Sequence, residues 1–185
     1  MDLMIDNLRQ ALAGLDRKCV DSPRLIPSAV ILPIFFKEGE YHILFIRRTQ
    51  TVKDHKGQIS FPGGHYEKKD KTLLNTALRE CYEEIGVPPE KVEVLGELDE
   101  CKTLTTSYRI ATFVGLIPYP YDFKPAKSEI ESIIEIPISA LLKSKIGWEI
   151  SDSGSPEFRF NGVVVWGATG VILSQLLEIW EKLTN

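Results

Sequence analysis

One stretch of helix constrains this chain more than any other. From Thr72 to Ile85, the apolar residues Leu74, Ala77, Leu78, Cys81 and Ile85 recur at helical spacing, and three glutamates stand beside them. At roughly 100° per residue, Glu80, Glu83 and Glu84 fall within about a third of a turn of one another. Carboxylates that close repel and destabilise a helix, so the cluster needs positive charge from elsewhere. A hard divalent cation supplies it: Mg²⁺ takes oxygen ligands and bridges a few carboxylates to substrate phosphates. A solvated acidic face, partnered by Arg79 and nearby lysines, is the other solution. The upstream residues favour the cation. Phe61-Pro62-Gly63-Gly64 predicts a hard turn whose glycines let backbone carbonyls approach the helix closely. Downstream, Gly86 occupies the position of a C-cap, with Pro88-Pro89 just behind it.

Around this helix the patterning is mixed α/β. Leu3, Ile5, Leu8, Ala11, Leu12 and Leu15 predict an amphipathic helix within a lead-in over residues 1–27. Ala29–Phe36 and His42–Arg47 predict a β-hairpin turning through 37–40, and Arg48–Ser60 a polar loop. Further strands are expected over Lys91–Leu98, Arg109–Ile117, Glu157–Phe160 and Val163–Trp166, the last two joined by Asn161-Gly162. A short helix is expected from Pro137 to Lys143, and a longer one from Ala168 to Leu183. With 185 residues and no repeat or linker, one domain over residues 1–185 is the expectation.

Composition excludes several function classes. The formal net charge of −4 gives no nucleic-acid footprint. The acidic N-terminus lacks the bases of a secretory signal. The longest apolar run, Ala29–Phe36, is interrupted by Pro33 and too short to span a bilayer. A protein free of membrane and nucleic acid, in the cytoplasm, is expected; Cys19, Cys81 and Cys101 read as reduced thiols. The small net charge hides a segregation. Arg47, Arg48, Lys53 and Lys56 face one acid, Asp54, between residues 47 and 57, whereas ten acids face five bases between residues 63 and 100.

The residues from Gly64 to Val87, GHYEKKDKTLLNTALRECYEEIGV, resemble the Nudix box, G-x5-E-x7-R-E-U-x-E-E-x-G-U with U aliphatic. Gly64, Arg79, Glu80, Glu83, Glu84, Gly86 and Val87 match. Asp70 stands at the first glutamate position, the next spacer is one residue longer, and Cys81 fills the first aliphatic position. Asp70 and the spacer are similar to the coenzyme A diphosphatase branch, whose upstream pattern is L-L-T-x-R-[SA]-x3-R-x3-G-x3-F-P-G-G. Leu44, Arg48, Gly57 and Phe61-Pro62-Gly63-Gly64 fall in register with it, while Phe45, Ile46, Thr49 and Lys53 are substitutions. The likeness continues through Glu129-Ile130 and Ile136-Pro137 to Val165-Trp166-Gly167-Ala168-Thr169, about residues 28 to 180.

This resemblance implies a Nudix fold: an α/β/α sandwich with a mixed sheet. It implies a hydrolase that uses Mg²⁺ or Mn²⁺ to cleave coenzyme A or an acyl derivative into 4′-phosphopantetheine and adenosine 3′,5′-bisphosphate. The implied metal ligands are Glu80, Glu83 and Glu84, with a carbonyl of Gly63 or Gly64. Arg79 sits one turn before Glu83, placed to orient it by an i,i+4 ion pair. Either Glu84 or Glu129, from a later loop, is the candidate general base. Arg48, Lys53, His55 and Lys56 are the candidate substrate-binding residues, since cationic side chains suit phosphates. Thr105-Thr106-Ser107-Tyr108 is expected to line the pocket. Hydrolysis of ADP-ribose, dinucleotides or other nucleoside diphosphate derivatives is the competing enzymatic reading, kept open by Ile46 and Lys53. A nucleotide-sensing module is the non-enzymatic one, disfavoured by the complete glutamate set. The oligomeric state is open, a homodimer included.

Overall fold

The computed structural model describes residues 2–51, 55–103, 107–144, 149–150 and 154–184. Its central feature is a hairpin that comes apart. Strands β1 (Ile26–Lys37) and β2 (Glu40–Arg48) meet at a turn where Glu38 and Gly39 both hold positive φ, the conformation a two-residue hairpin turn requires. They pair antiparallel only from Ile34↔Ile43 to Lys37↔Glu40. Beyond that they splay, and residues 59–65 enter the fork. Within it β3 (Ile59–Ser60) pairs with β2, and β4 (Gly63–His65) pairs with β1. The segment that reads as a bare Pro-Gly-Gly turn is thus largely short strand.

Pro33 stands at the fork. The Ile31 N–H donates to the Pro62 carbonyl at 2.9 Å, so two residues on, Pro33 faces the same edge, just where β1 leaves β2. Its missing N–H breaks no ladder bond there, which reconciles a proline with a central strand.

The other edges are filled by long-range pairing. Strand β7 (Tyr108–Leu116) runs parallel to β1 over nine register pairs. Strands β5 (Glu93–Glu97) and β6 (Cys101–Lys102) lie antiparallel to β7, and β8 (Ile130–Pro137) lies antiparallel to β2. The sequence reading assigned no strand to β8, and its strand at 91–98 shortens to β5 because Lys91 ends a 3-10 turn.

Side-chain alternation sorts the two faces. Ala29, Ile31 and Phe35 of β1, with Leu44 and Ile46 of β2, pack against Ala77, Cys81 and Ile85 of helix α2 (Leu73–Ile85). Leu32, Ile34, Ile43 and Phe45 point the other way, into a core with Leu8 and Leu12 of α1 (Leu3–Ala13) and Leu173 and Leu177 of α4 (Gly167–Thr184). Helix α3 (Ile138–Ser144) follows β8, and a small second sheet of β9 (Glu149–Ile150), β10 (Pro156–Phe160) and β11 (Val163–Val165) leads into α4. Helix, sheet and helix form the expected sandwich. No helix of the described residues is long and apolar enough to cross a membrane.

Candidate active site

Helix α2 is held against the fork by its own ends. The Thr72 hydroxyl accepts from the Asn75 N–H at 3.1 Å, and Gly86 closes the helix with φ 77°. The apolar stripe buries toward the sheet and carries Glu84 with it, leaving that residue 3% exposed. Its carboxylate is bound from two sides: Oε2 accepts from the Gly63 N–H and Oε1 from Arg48 Nη1, each at 2.9 Å. Burial pushes the Glu84 carboxyl up to about 7, even though Arg48 and the Gly63 N–H favour its charged form.

Arg79 organises the other two glutamates. Its Nη1 donates to Glu80 Oε1 at 2.7 Å and to Glu83 Oε2 at 2.9 Å. Its Nε and Nη2 grip Asp70 at 2.8 and 3.1 Å, and Nη2 also reaches the His65 carbonyl at 3.0 Å. Asp70 is buried and accepts further bonds from the Glu67 N–H and the Thr76 hydroxyl. Arg79, foremost, holds the Asp70 carboxyl well below the usual carboxylate range. Burial raises the Glu80 carboxyl, with Arg79 opposing.

The two glycines of β4 look in opposite directions. Gly64 pairs with Ala29 and so faces α2; Gly63 pairs with Val30 and faces the opposite side. A Cβ at Gly64 would lie 2.5 Å from Glu80 Cδ, and one at Gly63 would lie 2.6 Å from Val30 Cγ1. Backbone excludes a side chain at Gly63, and at Gly64 one would displace the Glu80 carboxylate. On the Val30 side lies a cavity of about 670 Å³, with both glycines, Arg48 and Glu129 in its wall. The bare backbone of 63–64 is therefore the partition between this cavity and the α2 carboxylates.

Part of the expected site meets at this cavity, whereas Arg79, Glu80 and Glu83 do not line it. Arg48, His55, Gly64, Glu129 and Tyr108 line the cavity, and Glu84 reaches its wall through Arg48 and Gly63. Arg48, read from sequence as the start of a loop, is the last residue of β2, after a register shift from Arg47. Glu129 is held by its backbone, its carbonyl accepting from the Thr49 N–H at 2.8 Å, while its half-exposed carboxylate lies 3.8 Å from Arg48 Nη2. The His55 ring pairs with the Gln58 side chain. Lys56 is exposed and does not line the cavity. Lys53, Thr105 and Thr106 lie outside the described residues.

The structure adds Ser28, which sequence reasoning did not single out, and a place in the wall for Trp166. Ser28 bonds the His65 ring, which packs on Tyr108 with centroids 4.6 Å apart. Trp166 and the first turn of α4 close the far wall; their signal was the Trp166-Gly167-Ala168-Thr169 match, without a role attached. Among the described residues, no three His, Cys, Asp or Glu side chains form a ready cage for a cation. Guanidinium groups stand in that place, Arg79 on Glu80 and Glu83, Arg48 on Glu84. The donor set still fits a hard divalent ion: three carboxylates and a glycine carbonyl are oxygen ligands. Two of those carboxylates, Glu80 and Glu84, are raised by burial, so added positive charge would relieve them.

A model of the NUDIX domain matches residues 25–153. The chain belongs to the Nudix family. It is 35% identical over 157 residues to an uncharacterised Nudix hydrolase, NudL, of Photorhabdus laumondii, covering 82% of this chain and 83% of that one. Among solved structures it resembles an Ap4A hydrolase from C. elegans, at TM-score 0.56 and 11% identity over 86% of this chain and 96% of that one. It also resembles the NUDIX domain of Shewanella oneidensis NrtR complexed with ADP ribose, at TM-score 0.54 and 15% identity over 95% and 97%. At those identities the structural likeness establishes the fold. As a Nudix hydrolase the protein acts on nucleoside diphosphate derivatives, and Nudix hydrolases generally use divalent ions such as Mg²⁺ or Mn²⁺.

Proposed function

We propose that this Nudix hydrolase cleaves the diphosphate of coenzyme A or an acyl-coenzyme A, releasing 4′-phosphopantetheine and adenosine 3′,5′-bisphosphate. The observation that carries the reading is the mixed wall of one cavity, in which Arg48, Glu129 and the Gly63-Gly64 backbone occur together with Ile110, Ile172 and Trp166. A diphosphate suits the first group, and a long, weakly polar arm suits the second. The register of Leu44, Arg48, Gly57 and Phe61–Gly64 with the coenzyme A diphosphatase pattern supports the same assignment.

In this reading Arg48 holds a phosphate oxygen, and the Gly63-Gly64 backbone lets the diphosphate approach α2. Glu80, Glu83, Glu84 and the Gly64 carbonyl would hold Mg²⁺ or Mn²⁺, which supplies charge neutralisation and a more acidic water when bound. Glu84, bonded to Arg48 and to the Gly63 N–H at the cavity wall, is one candidate for accepting the proton of the attacking water. Glu129, reaching the cavity from its loop, is the second candidate. Water adds its oxygen to one phosphorus, the bridging P–O bond breaks, and each product leaves as a phosphate monoester. Arg79 touches no substrate in this scheme; it positions Glu80 and Glu83 from its anchor on Asp70.

Coenzyme A, ADP-ribose, NADH and nucleoside triphosphates, each incubated with the protein and Mg²⁺ or Mn²⁺, test the substrate once products are separated by chromatography. Coenzyme A should turn over fastest, and EDTA should stop it. Faster cleavage of ADP-ribose would move the assignment to that substrate. Replacing Glu83 and Glu84 with Gln tests the enzymatic reading itself: equal rates for parent and variant on every substrate would make the protein a nucleotide-sensing module.

A further inference from the structure

We infer that Arg48 is a displaceable counter-ion of Glu84, so that filling the cation site frees this guanidinium for substrate phosphate and the two ligands bind cooperatively. The inference deepens the proposed function and rests on its assignment of Glu80, Glu83 and Glu84 to a divalent ion.

The geometry gives each Glu84 oxygen a donor. One oxygen is taken by the Gly63 N–H and the other by Arg48 Nη1, both at 2.9 Å, with the carboxylate side chain only 3% exposed. A divalent ion on either oxygen would stand within a few ångström of a donor's positive charge, and moving one donor away relieves that repulsion. Gly63 cannot leave, because it belongs to β4, paired to Val30 across the fork. Arg48 can. It is the terminal residue of β2, its side chain is 21% exposed, and it lines the cavity. A second acceptor already stands near, Glu129 Oε2 at 3.8 Å from its Nη2, beyond hydrogen-bond range but close enough to attract the charge. Guanidinium and metal ion, both cationic, therefore compete for one carboxylate.

Arg79 shows the contrasting design. It also holds two glutamates, yet its Nε and Nη2 remain fixed on buried Asp70 and the His65 carbonyl when Nη1 lets go. Its guanidinium stays on the α2 side, whereas that of Arg48 opens into the cavity. Losing Glu84 as a partner leaves Arg48 with unsatisfied donors that suit a phosphate oxygen. By linkage, whatever the ion gives to phosphate affinity through Arg48, phosphate returns to ion affinity.

The test uses Mn²⁺ alone, with no substrate, so its result stands apart from whether coenzyme A is the substrate. Mn²⁺ affinity is measured by electron paramagnetic resonance for the parent, Arg48→Gln and Arg48→Lys. Removing a competing charge-assisted hydrogen bond should tighten Mn²⁺ binding about tenfold in Arg48→Gln. Arg48→Lys, which keeps the charge, should stay near the parent value. Unchanged or weaker binding in Arg48→Gln would overturn the inference and make Arg48 a fixed support for Glu84. The unsubstituted protein gives an independent readout that no folding defect can obscure. Titration with Mg²⁺ should shift the side-chain nitrogen resonance of Arg48 in NMR spectra, whereas an Arg48 signal unmoved at saturating Mg²⁺ would refute displacement.

Discussion

Replacing Asp70 by Asn removes one charge from a carboxylate that accepts four hydrogen bonds and keeps its shape. Asp70 receives Arg79 through two nitrogens at 2.8 and 3.1 Å, with the Thr76 hydroxyl at 2.9 Å and the Glu67 N–H at 3.0 Å, and its side chain is 3% exposed. An asparagine oxygen can keep part of this set, but its NH₂ faces a guanidinium that only donates. Breaking one partner of a buried pair costs about 3–5 kcal/mol, and the retained bonds place this case at the low end, about 3 kcal/mol. For a chain of this size that lowers the thermal midpoint by roughly 6–12 °C. The effect has a pH signature. Arg79 holds the folded-state carboxyl below its ordinary 3.8, so its stabilisation is full above that value and is lost as pH falls through the lower, folded-state one. Calorimetry across pH 3–8 should show a constant gap between parent and D70N from pH 5 upward, narrowing in acid. A gap below about 0.5 kcal/mol at pH 7 is the value of an exposed ion pair and would refute the argument.

Three further outcomes follow from the site. Glu84→Gln should flatten the pH dependence of stability in the metal-free protein: the folded carboxyl is raised from 4.5 to about 7, so the parent loses stability as pH climbs between those values, by on the order of 3 kcal/mol, and the amide does not. Denaturant unfolding at pH 5 and pH 8 checks this, alongside a turnover loss of at least about a hundredfold if Glu84 is the base. Gly64→Ala should leave a folded protein, yet its methyl group would lie 2.5 Å from Glu80 Cδ and force that carboxylate aside, so Mn²⁺ affinity measured by calorimetry should fall about tenfold or more. Trp166→Ala, at a residue 42% exposed on the cavity wall, should raise KM with little change in melting temperature or kcat.

Local rules made much of this architecture readable. Helix α2 carries its own caps and stripe, and the predicted Thr72–Ile85 differs from the observed Leu73–Ile85 only in counting the cap residue itself. The β1–β2 hairpin and the Asn161-Gly162 turn announce themselves in the same way, both residues of the latter holding positive φ. What stayed hidden depended on partners distant in sequence. Strand β8 alternates poorly, because Glu131, Ser132 and Glu135 share it with four isoleucines, and only its pairing with β2 makes it a strand. The opposite facing of Gly63 and Gly64 follows from register against β1, which no turn signal contains. In the site, spacing revealed the Arg79–Glu83 pair but not the grip of Arg79 on Asp70, nor the Arg48–Glu84 pair, which joins residues 36 apart.

Pro33 bears on how the site came to be there at all. Had residue 33 carried an N–H, β1 and β2 could have zipped onward past Ile34↔Ile43 into an ordinary long ladder, leaving no opening for 59–65. The proline acts as a zip stop, and the backbone of 59–65 occupies the space of an unfinished hairpin. The glutamates of α2 then meet peptide groups of β4 that the fork itself holds open. In this fold the candidate site is built on a vacancy in the hydrogen-bond lattice, filled by a segment whose own two strands are only two and three residues long.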